Sequence, residues 1–215
     1  MKLEVLYEDN HLIAVNKPAG ILTQPDKTGD PSLMDEVKYF LKNKYEKPGN
    51  VFLGLLHRLD RNVSGIVLFA KTSKGASRLS DQIRKREFKK TYTARVEGVP
   101  EPEKETLVDY LLKDEVENFV SIVTSTTPGA QRAELSYETI ATDGKFSIVK
   151  INLGTGRRHQ IRVQLADMGC PIVGDSKYGS TIELPGRAIA LTATELTFKT
   201  ATTDETKTIK IDFPY

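Results

Sequence analysis

Four strand-like segments follow one another between residues 107 and 153, and this run constrains the fold more than any other part of the sequence. Turn residues separate some of them, at Thr127-Pro128-Gly129 and at Asp143-Gly144, and both turns favour tight reversals of the chain. Consecutive strands joined by short turns pair in the antiparallel sense. An antiparallel meander is therefore predicted, with strands at residues 107–113, 119–124, 132–141 and 145–153.

Helical patterns occur at three other places in the chain. Asp30-Pro31-Ser32 is a favourable helix start, and the helix that follows should end near Lys44. A second helix is predicted from Ser73 to about Arg86, and a third from about His159 to Met168. Further strands are expected at residues 3–8, 11–16, 66–70, 88–98, 188–198 and 206–213. This order of elements predicts an α+β fold with a mixed, mostly antiparallel central sheet and flanking helices.

Length and composition indicate one soluble domain over residues 1–215, since one large mixed domain can hold 215 residues. Apolar runs stay far below the ~18 residues that a membrane helix needs, and the acidic amino terminus does not resemble a signal peptide. The single cysteine, Cys170, excludes an intramolecular disulfide. His11, His57 and His159 are too far apart for a sequence-local metal motif. We therefore expect a cytoplasmic protein without a membrane span or a structural metal.

Basic residues concentrate in two short segments, although the net charge of +2 is too small to indicate a polyanionic partner by itself. Residues 84–90 read Arg-Lys-Arg-Glu-Phe-Lys-Lys, and residues 157–162 read Arg-Arg-His-Gln-Ile-Arg. Either segment could neutralise phosphates, and either could equally be a solvated helix end or loop. Both interpretations stay open at the level of composition.

Asp60 stands out in the segment from His57 to Gly65, because it lies among cationic side chains just before the apolar run Ile66–Ala70. Nearby positive charge lowers the pKa of a carboxyl group, so Asp60 should stay ionised. A permanent anion suits a nucleophile or an electrostatic partner better than a general acid. A structural ion pair in a surface turn is the alternative, and the segment alone favours it.

Four separated segments resemble the RluA-type pseudouridine synthases, and they occur in the order typical of that family. The strongest is His57-Arg58-Leu59-Asp60-Arg61-Asn62-Val63-Ser64-Gly65, which is similar to the family's HRLDxx[TV]SG signature. The others are Glu8-Asp9 with residues 16–20, Lys90-Thr91-Tyr92 with Val96 and Gly98, and residues 155–163 running into 171–175. Together they extend over about residues 6–198.

The resemblance implies a pseudouridine synthase fold and an isomerase that converts specific uridines in structured ribosomal or transfer RNA to pseudouridine without an external cofactor. It identifies Asp60 as the catalytic carboxylate, Tyr92 as the tyrosine that packs on the base, and Arg162 as the cation that pairs with the carboxylate. Contacts with RNA are expected from Arg58, Lys17, Arg157 and His159. We expect RNA as the partner of a monomeric enzyme.

The sequence departs from the family pattern at Arg158, where Thr is common, and at Gln164 and Thr192, where His is frequent. These positions leave Asp60, Tyr92 and Arg162 untouched, but they can alter contacts with RNA. The chain starts at the first strand of the catalytic domain, so we expect no S4 domain. RNA recognition should then come from the catalytic domain itself.

Two other functions remain to be compared with pseudouridine formation. An RNA-binding module or RNA chaperone could keep the fold without turnover. A hydrolase could use His57, Asp60 and Ser64, or a pair of carboxylates, although neighbours in sequence do not establish a triad geometry. The sequence does not select between ribosomal and transfer RNA, or identify the uridine.

Overall fold

The computed structural model describes residues 3–215, which form two compact units. The first unit contains the described residues up to Lys90 together with Ala193–Asp212, and the second contains Thr91–Thr192 and Phe213–Tyr215. Between residues 3 and 215, no helix combines the length and apolar character needed to cross a bilayer. One catalytic domain over residues 1–215 stays a prediction.

The first unit is built on a sheet in the order β1-β2-β4-β10-β11, and the short strand β3 also pairs with β4. Strands β1 and β2, both predicted, form an antiparallel hairpin, in which Asp9 Oδ1 accepts the backbone N–H groups of His11 and Leu12, each at 2.7 Å. The strands are β1 (Glu4–Glu8), β2 (Leu12–Lys17), β3 (Gly54–Leu55), β4 (Ser64–Ala70), β10 (Leu191–Lys199) and β11 (Thr206–Lys210).

Two helices of the first unit begin at side-chain caps. Helix α1 (Leu33–Lys44) starts with a reciprocal capping box between Ser32 and Asp35, and it buries Leu33, Val37 and Leu41. Helix α2 (Ser73–Arg84) starts at Thr72, whose Oγ1 accepts the N–H of Gly75 at 3.1 Å. Both helices agree with the predicted spans within two residues.

The core of the first unit brings β2, β4 and β10 together with α2. It includes Leu12, Leu68, Leu79 and Phe198, all at most 1 % exposed. Gly65 in β4 makes the close approach of β4 to the backbone at Ala193 possible. Its φ is +120°, and a Cβ there would lie 2.4 Å from the Ala193 nitrogen. Glycine is the residue that this contact allows.

The second unit has a sheet in the order β5-β9-β8-β6-β7, and every pair in it is antiparallel. The antiparallel, α+β prediction is confirmed, but a simple meander is wrong because β8 pairs with β6 rather than with β7. Strand β6 is long enough to hold β7 along one edge and β8 along the other. The strands are β5 (Lys89–Glu97), β6 (Lys104–Asp114), β7 (Phe119–Val123), β8 (Gln131–Thr142) and β9 (Phe146–Leu153).

Helix α3 (Gln160–Asp167) follows a glycine-rich segment, Gly154-Thr155-Gly156, and a short 3-10 turn lies at Ser176–Tyr178. Residues 160–165 of α3 are all buried. His159 precedes the helix in the left-handed conformation, with φ of 50°. The helix therefore presents its amino-terminal turn, including Arg162, to the interior of this unit.

Candidate active site

Asp60 lies on the loop between β3 and β4, and its neighbours in sequence fix that loop from the inside. Leu59 and Val63 are buried, while Asp60 is only partly buried. Thr23 Oγ1 donates to the Leu59 carbonyl at 2.8 Å and accepts the Leu59 N–H at 3.2 Å. The backbone around Asp60 is thus held in place, while Asp60 itself stays partly exposed.

Lys17, at the end of β2, supports the same loop from beneath. Its Nζ donates to the carbonyl oxygens of Pro18 at 3.0 Å and Arg61 at 3.1 Å, and the side chain is 0 % exposed. Burial lowers the pKa of Lys17 to about 7, an effect that the negative charge of Asp60 opposes and the positive charge of Arg61 reinforces. This complete burial argues against the predicted contact of Lys17 with RNA and instead gives it a supporting position under Asp60.

The arginines beside Asp60 differ in their surroundings. Arg61 donates through Nε to the Gly20 carbonyl at 2.9 Å and forms an ion pair of 2.7 Å with Asp30. It therefore joins the Asp60 loop to the Lys17–Gly20 turn. Arg58 is exposed, as a residue that contacts RNA must be, and the contact itself stays a prediction.

His57 serves the fold of the loop rather than a catalytic triad. Its Nε2 accepts the backbone N–H of Leu68 in β4 at 3.0 Å, so this nitrogen carries no proton. Burial, aided by the positive charge of Lys90, lowers the pKa of the His57 ring to about 3. A ring held neutral and bonded to the backbone of β4 gives no support to a hydrolase that uses His57 as a base.

Arg162 of α3 forms a buried, two-pronged ion pair with Asp175. Nε donates to Asp175 Oδ2 at 2.6 Å and Nη2 to Oδ1 at 2.7 Å, with the two residues 5 % and 2 % exposed. The guanidinium carbon also lies 5.0 Å from the centre of the Tyr178 ring. Asp175 ends a segment that resembles the family, but its sequence position alone predicted no role for it, and none for Tyr178.

His159 is connected to the same cluster through Tyr178. Its Nδ1 lies 2.8 Å from the Tyr178 hydroxyl, which also accepts the N–H of Val120 at 3.0 Å. Only 7 % of His159 is exposed, and its contact with RNA stays a prediction. The structure thus brings Arg162 and His159 to opposite parts of one tyrosine.

Gln160 organises the glycine-rich segment before α3. Its Oε1 accepts from the Thr155 hydroxyl at 2.8 Å and from the Arg157 N–H at 3.0 Å, and its Nε2 donates to the Glu134 carbonyl at 3.0 Å. The exposed Arg157 side chain donates through Nε to the Arg132 carbonyl at 3.1 Å. Arg157 therefore has the exposure that its predicted contact with RNA requires.

Tyr92 and the three departures from the family pattern also have defined positions. Tyr92 lies opposite Ile151 in the β5–β9 pair and is 6 % exposed. Arg158 donates to Asn118 Oδ1 at 2.6 Å, and Gln164 donates to Asp109 Oδ2 at 2.6 Å. Thr192 is buried, at 1 % exposure. Gln164 therefore fastens α3 to β6.

Comparison with known proteins gives consistent matches. A family model described as RNA pseudouridylate synthase matches residues 11–167. A Bacillus subtilis protein named uncharacterized RNA pseudouridine synthase YhcT is 35% identical over 216 residues, which cover 99% of this chain and 69% of that protein. The tRNA pseudouridine synthase C of Vibrio parahaemolyticus is 32% identical over 231 residues, covering 98% of this chain and 90% of that protein.

Further matches include a relative whose name gives it dual specificity, and a solved structure. The dual-specificity RNA pseudouridine synthase RluA of Yersinia pestis is 37% identical over 175 residues, covering 81% of each chain. The structure of human RNA pseudouridylate synthase domain containing 4 superposes with a TM-score of 0.82 at 23% identity, covering 98% of this chain and 88% of that one, and so shows the shared fold. The predicted resemblance is confirmed: the chain belongs to the RluA-type family of RNA pseudouridine synthases, which are isomerases.

Proposed function

We propose that this enzyme isomerises specific uridines to pseudouridine in structured ribosomal or transfer RNA, with Asp60 as the catalytic carboxylate. The observation that carries the proposal is the setting of Asp60, a partly exposed anion on a loop whose backbone is held by Thr23 and Lys17. The names of relatives that act on transfer RNA or have dual specificity support these two substrate classes.

The reaction breaks the bond between N1 of uracil and C1′ of ribose, turns the base, and forms a bond between C5 and C1′. The proton on C5 is lost and N1 gains one, so the product is an isomer of the substrate. A fixed anion near the ribose stabilises the positive charge that develops at C1′ when the first bond breaks. Both direct attack at C1′ and a glycal route use that same carboxylate.

The target base must leave its stack before the chemistry, because an enzyme cannot reach C5 and N1 inside a folded RNA. Tyr92 is proposed to provide the aromatic face for the unstacked base, and Arg162 to keep the carboxylate ionised and oriented. The exposed Arg58 and Arg157 are proposed to contact phosphates. Lys17 is fully buried beneath the loop, so we assign it to the support of that loop, whereas His159, bonded to Tyr178, keeps its proposed contact with RNA.

The test measures tritium release from RNA labelled at C5 of uridine, since the label leaves when C5 bonds to C1′. Wild-type enzyme should release tritium, and Asp60→Asn should release none while it still binds RNA. Asp30→Asn is the matched control, because Asp30 is a half-exposed carboxylate paired with Arg61 next to the same loop. It should keep most of the activity.

Persistent turnover in Asp60→Asn would remove Asp60 from the chemistry. RNA binding by the wild type without any tritium release would instead favour a binding module or RNA chaperone. Mapping pseudouridines in RNA from cells with and without the gene would then identify the RNA and the uridine. The monomeric state and the cytoplasmic location are part of the same proposal.

A further inference from the structure

The guanidinium of Arg162 is held by two different groups of the second unit, a carboxylate at its edge and an aromatic ring at its face. Asp175 accepts from Nε and Nη2 at 2.6 and 2.7 Å, and the Tyr178 ring centre lies 5.0 Å from the guanidinium carbon. A side-on fork of this kind fixes the guanidinium within its plane. Contact with a ring face restricts rotation of that plane, so the two groups together fix the orientation.

Tyr178 is itself fixed by three neighbours. Its hydroxyl lies 2.8 Å from His159 Nδ1 and accepts the N–H of Val120 at 3.0 Å. The Phe119 ring stacks on it with the centroids 4.9 Å apart. The Tyr178 ring is thus tied to the start of α3 and to β7. It cannot follow a movement of Arg162 without breaking these contacts.

Stability alone does not account for this ion pair. Both residues are almost completely buried, and desolvation offsets most of the attraction between buried opposite charges. Replacing a buried ion pair by well-packed apolar residues of similar volume is often neutral or stabilising. What the charged pair provides and an apolar pair does not is a guanidinium with a fixed direction.

We propose that Asp175 is a positioning residue for the isomerisation, and that it acts by orienting Arg162 together with Tyr178. The inference rests on the proposed function, in which Arg162 orients the catalytic carboxylate of Asp60. In the fork to Asp175 the remaining terminal nitrogen, Nη1, points away from that carboxylate. Asp175 thereby determines the direction in which Arg162 presents its outer N–H groups.

The first test compares kcat and KM in Asp175→Glu and Asp175→Asn. The glutamate keeps the charge but displaces the guanidinium by about the length of one methylene, and a misplacement of about 1 Å can lower a rate by about 100-fold. We expect kcat to fall on that order in both variants while KM for RNA stays within about threefold. The reason is that Arg162 is proposed to act in the chemical step and not in the binding of RNA. A folded Asp175→Glu enzyme with wild-type kcat would overturn the proposal.

Glu97→Gln is the matched control for the loss of a carboxylate. Glu97 accepts hydrogen bonds from Ser180 and Thr181, so it anchors the chain segment just beyond Tyr178 through residues other than Arg162. This variant should lower the melting temperature and leave kcat unchanged. A fall in kcat equal to that of Asp175→Glu would show that any loosening of the segment suffices, and would overturn the specific role of Asp175.

A double-mutant cycle separates positioning from folding. Arg162→Met should lower kcat without abolishing it, and adding Asp175→Leu should restore thermal stability while causing no further loss in kcat. An additional loss in kcat equal to the effect of the Asp175 substitution in the wild type would show independent action and overturn the proposal. Tritium release by the wild type is measured in the same series. Failure of the proposed function is therefore recognised separately from failure of the positioning role of Asp175.

Discussion

At the scale of single residues, the His57 ring connects the signature segment to β4 and makes the fold sensitive to acid. Nε2 must stay unprotonated to accept the Leu68 N–H, and the pKa of His57 is about 3 in the folded chain, against 6.5 for an ordinary histidine. The unfolded chain therefore binds the proton first as pH falls. The stabilisation is complete above pH 6.5 and is lost progressively between pH 6.5 and about 3.

We predict that lowering the pH from 7 to 5 reduces the free energy of unfolding by about 2 kcal/mol through His57 alone. In His57→Gln the amide oxygen can still accept from Leu68 without titrating, so its stability should vary less over this range. Urea unfolding of both proteins at the two pH values measures the difference. Parallel pH dependences of wild type and variant would contradict the prediction.

Glu8 supplies an internal control for this window of pH. Burial opposes ionisation, but hydrogen bonds from Lys44, Lys71 and Tyr45 dominate and lower the pKa of Glu8 to about 2. Its contribution to stability is present above the ordinary value of 4.5 and is lost between 4.5 and about 2. A loss of stability between pH 7 and 5 is thus separate from the loss that Glu8 causes at lower pH.

Residue identity predicted the candidate site only in part. The signature around Asp60 was recognisable because its residues are consecutive in the chain. The burial of Lys17 was not, because lysine is rarely fully buried and its partners, the carbonyls of Pro18 and Arg61, carry no mark in the sequence. Asp175 was missed as a partner of Arg162 because the loop between them, not a helical spacing, brings the two side chains together.

At the scale of elements, the contact of β4 with the backbone at Ala193 depends on Gly65. We predict that Gly65→Ala destabilises the protein by about 3 kcal/mol, since the new Cβ adds overpacking to an unfavourable φ. Gly144→Ala is the control, because Gly144 also has positive φ, +85°, but nothing lies within 4 Å of a Cβ there. It should cost roughly 1 kcal/mol. Equal losses in denaturant unfolding would show that steric contact at Gly65 contributes nothing.

The helices were predictable because their signals are local. Ser32 and Asp35 form the capping box at the start of α1, and the apolar spacing of α1 and α2 matches their buried faces. The order of β6, β7 and β8 was not predictable in this way, because alternation identifies a strand without identifying its neighbour. Strand β3 was missed because a pair of residues is too short to show alternation.

At the scale of the whole molecule, positive and negative charges are nearly balanced. The enzyme must therefore bind a polyanion through local groups of basic side chains. The formal net charge is +2 over 215 residues. Many basic side chains are engaged with acidic ones, as in the pairs Arg61–Asp30 and Lys44–Glu8. Arg58 and Arg157 are exposed, and Arg157 donates a hydrogen bond to the backbone carbonyl of Arg132. We therefore expect the exposed Arg58 and Arg157 to contribute to the binding of RNA.

We predict that Arg58→Gln and Arg157→Gln each weaken RNA binding and reduce the slope of log K against log salt by about 1, because each removes one phosphate contact and the counterion it releases. The double variant should lose about 2. At saturating RNA, kcat should stay close to that of the wild type. Lys207→Gln, an exposed cation paired with Glu205 on β11, should leave both the affinity and the slope unchanged. An unchanged slope in both arginine variants would show that other side chains contact the phosphates.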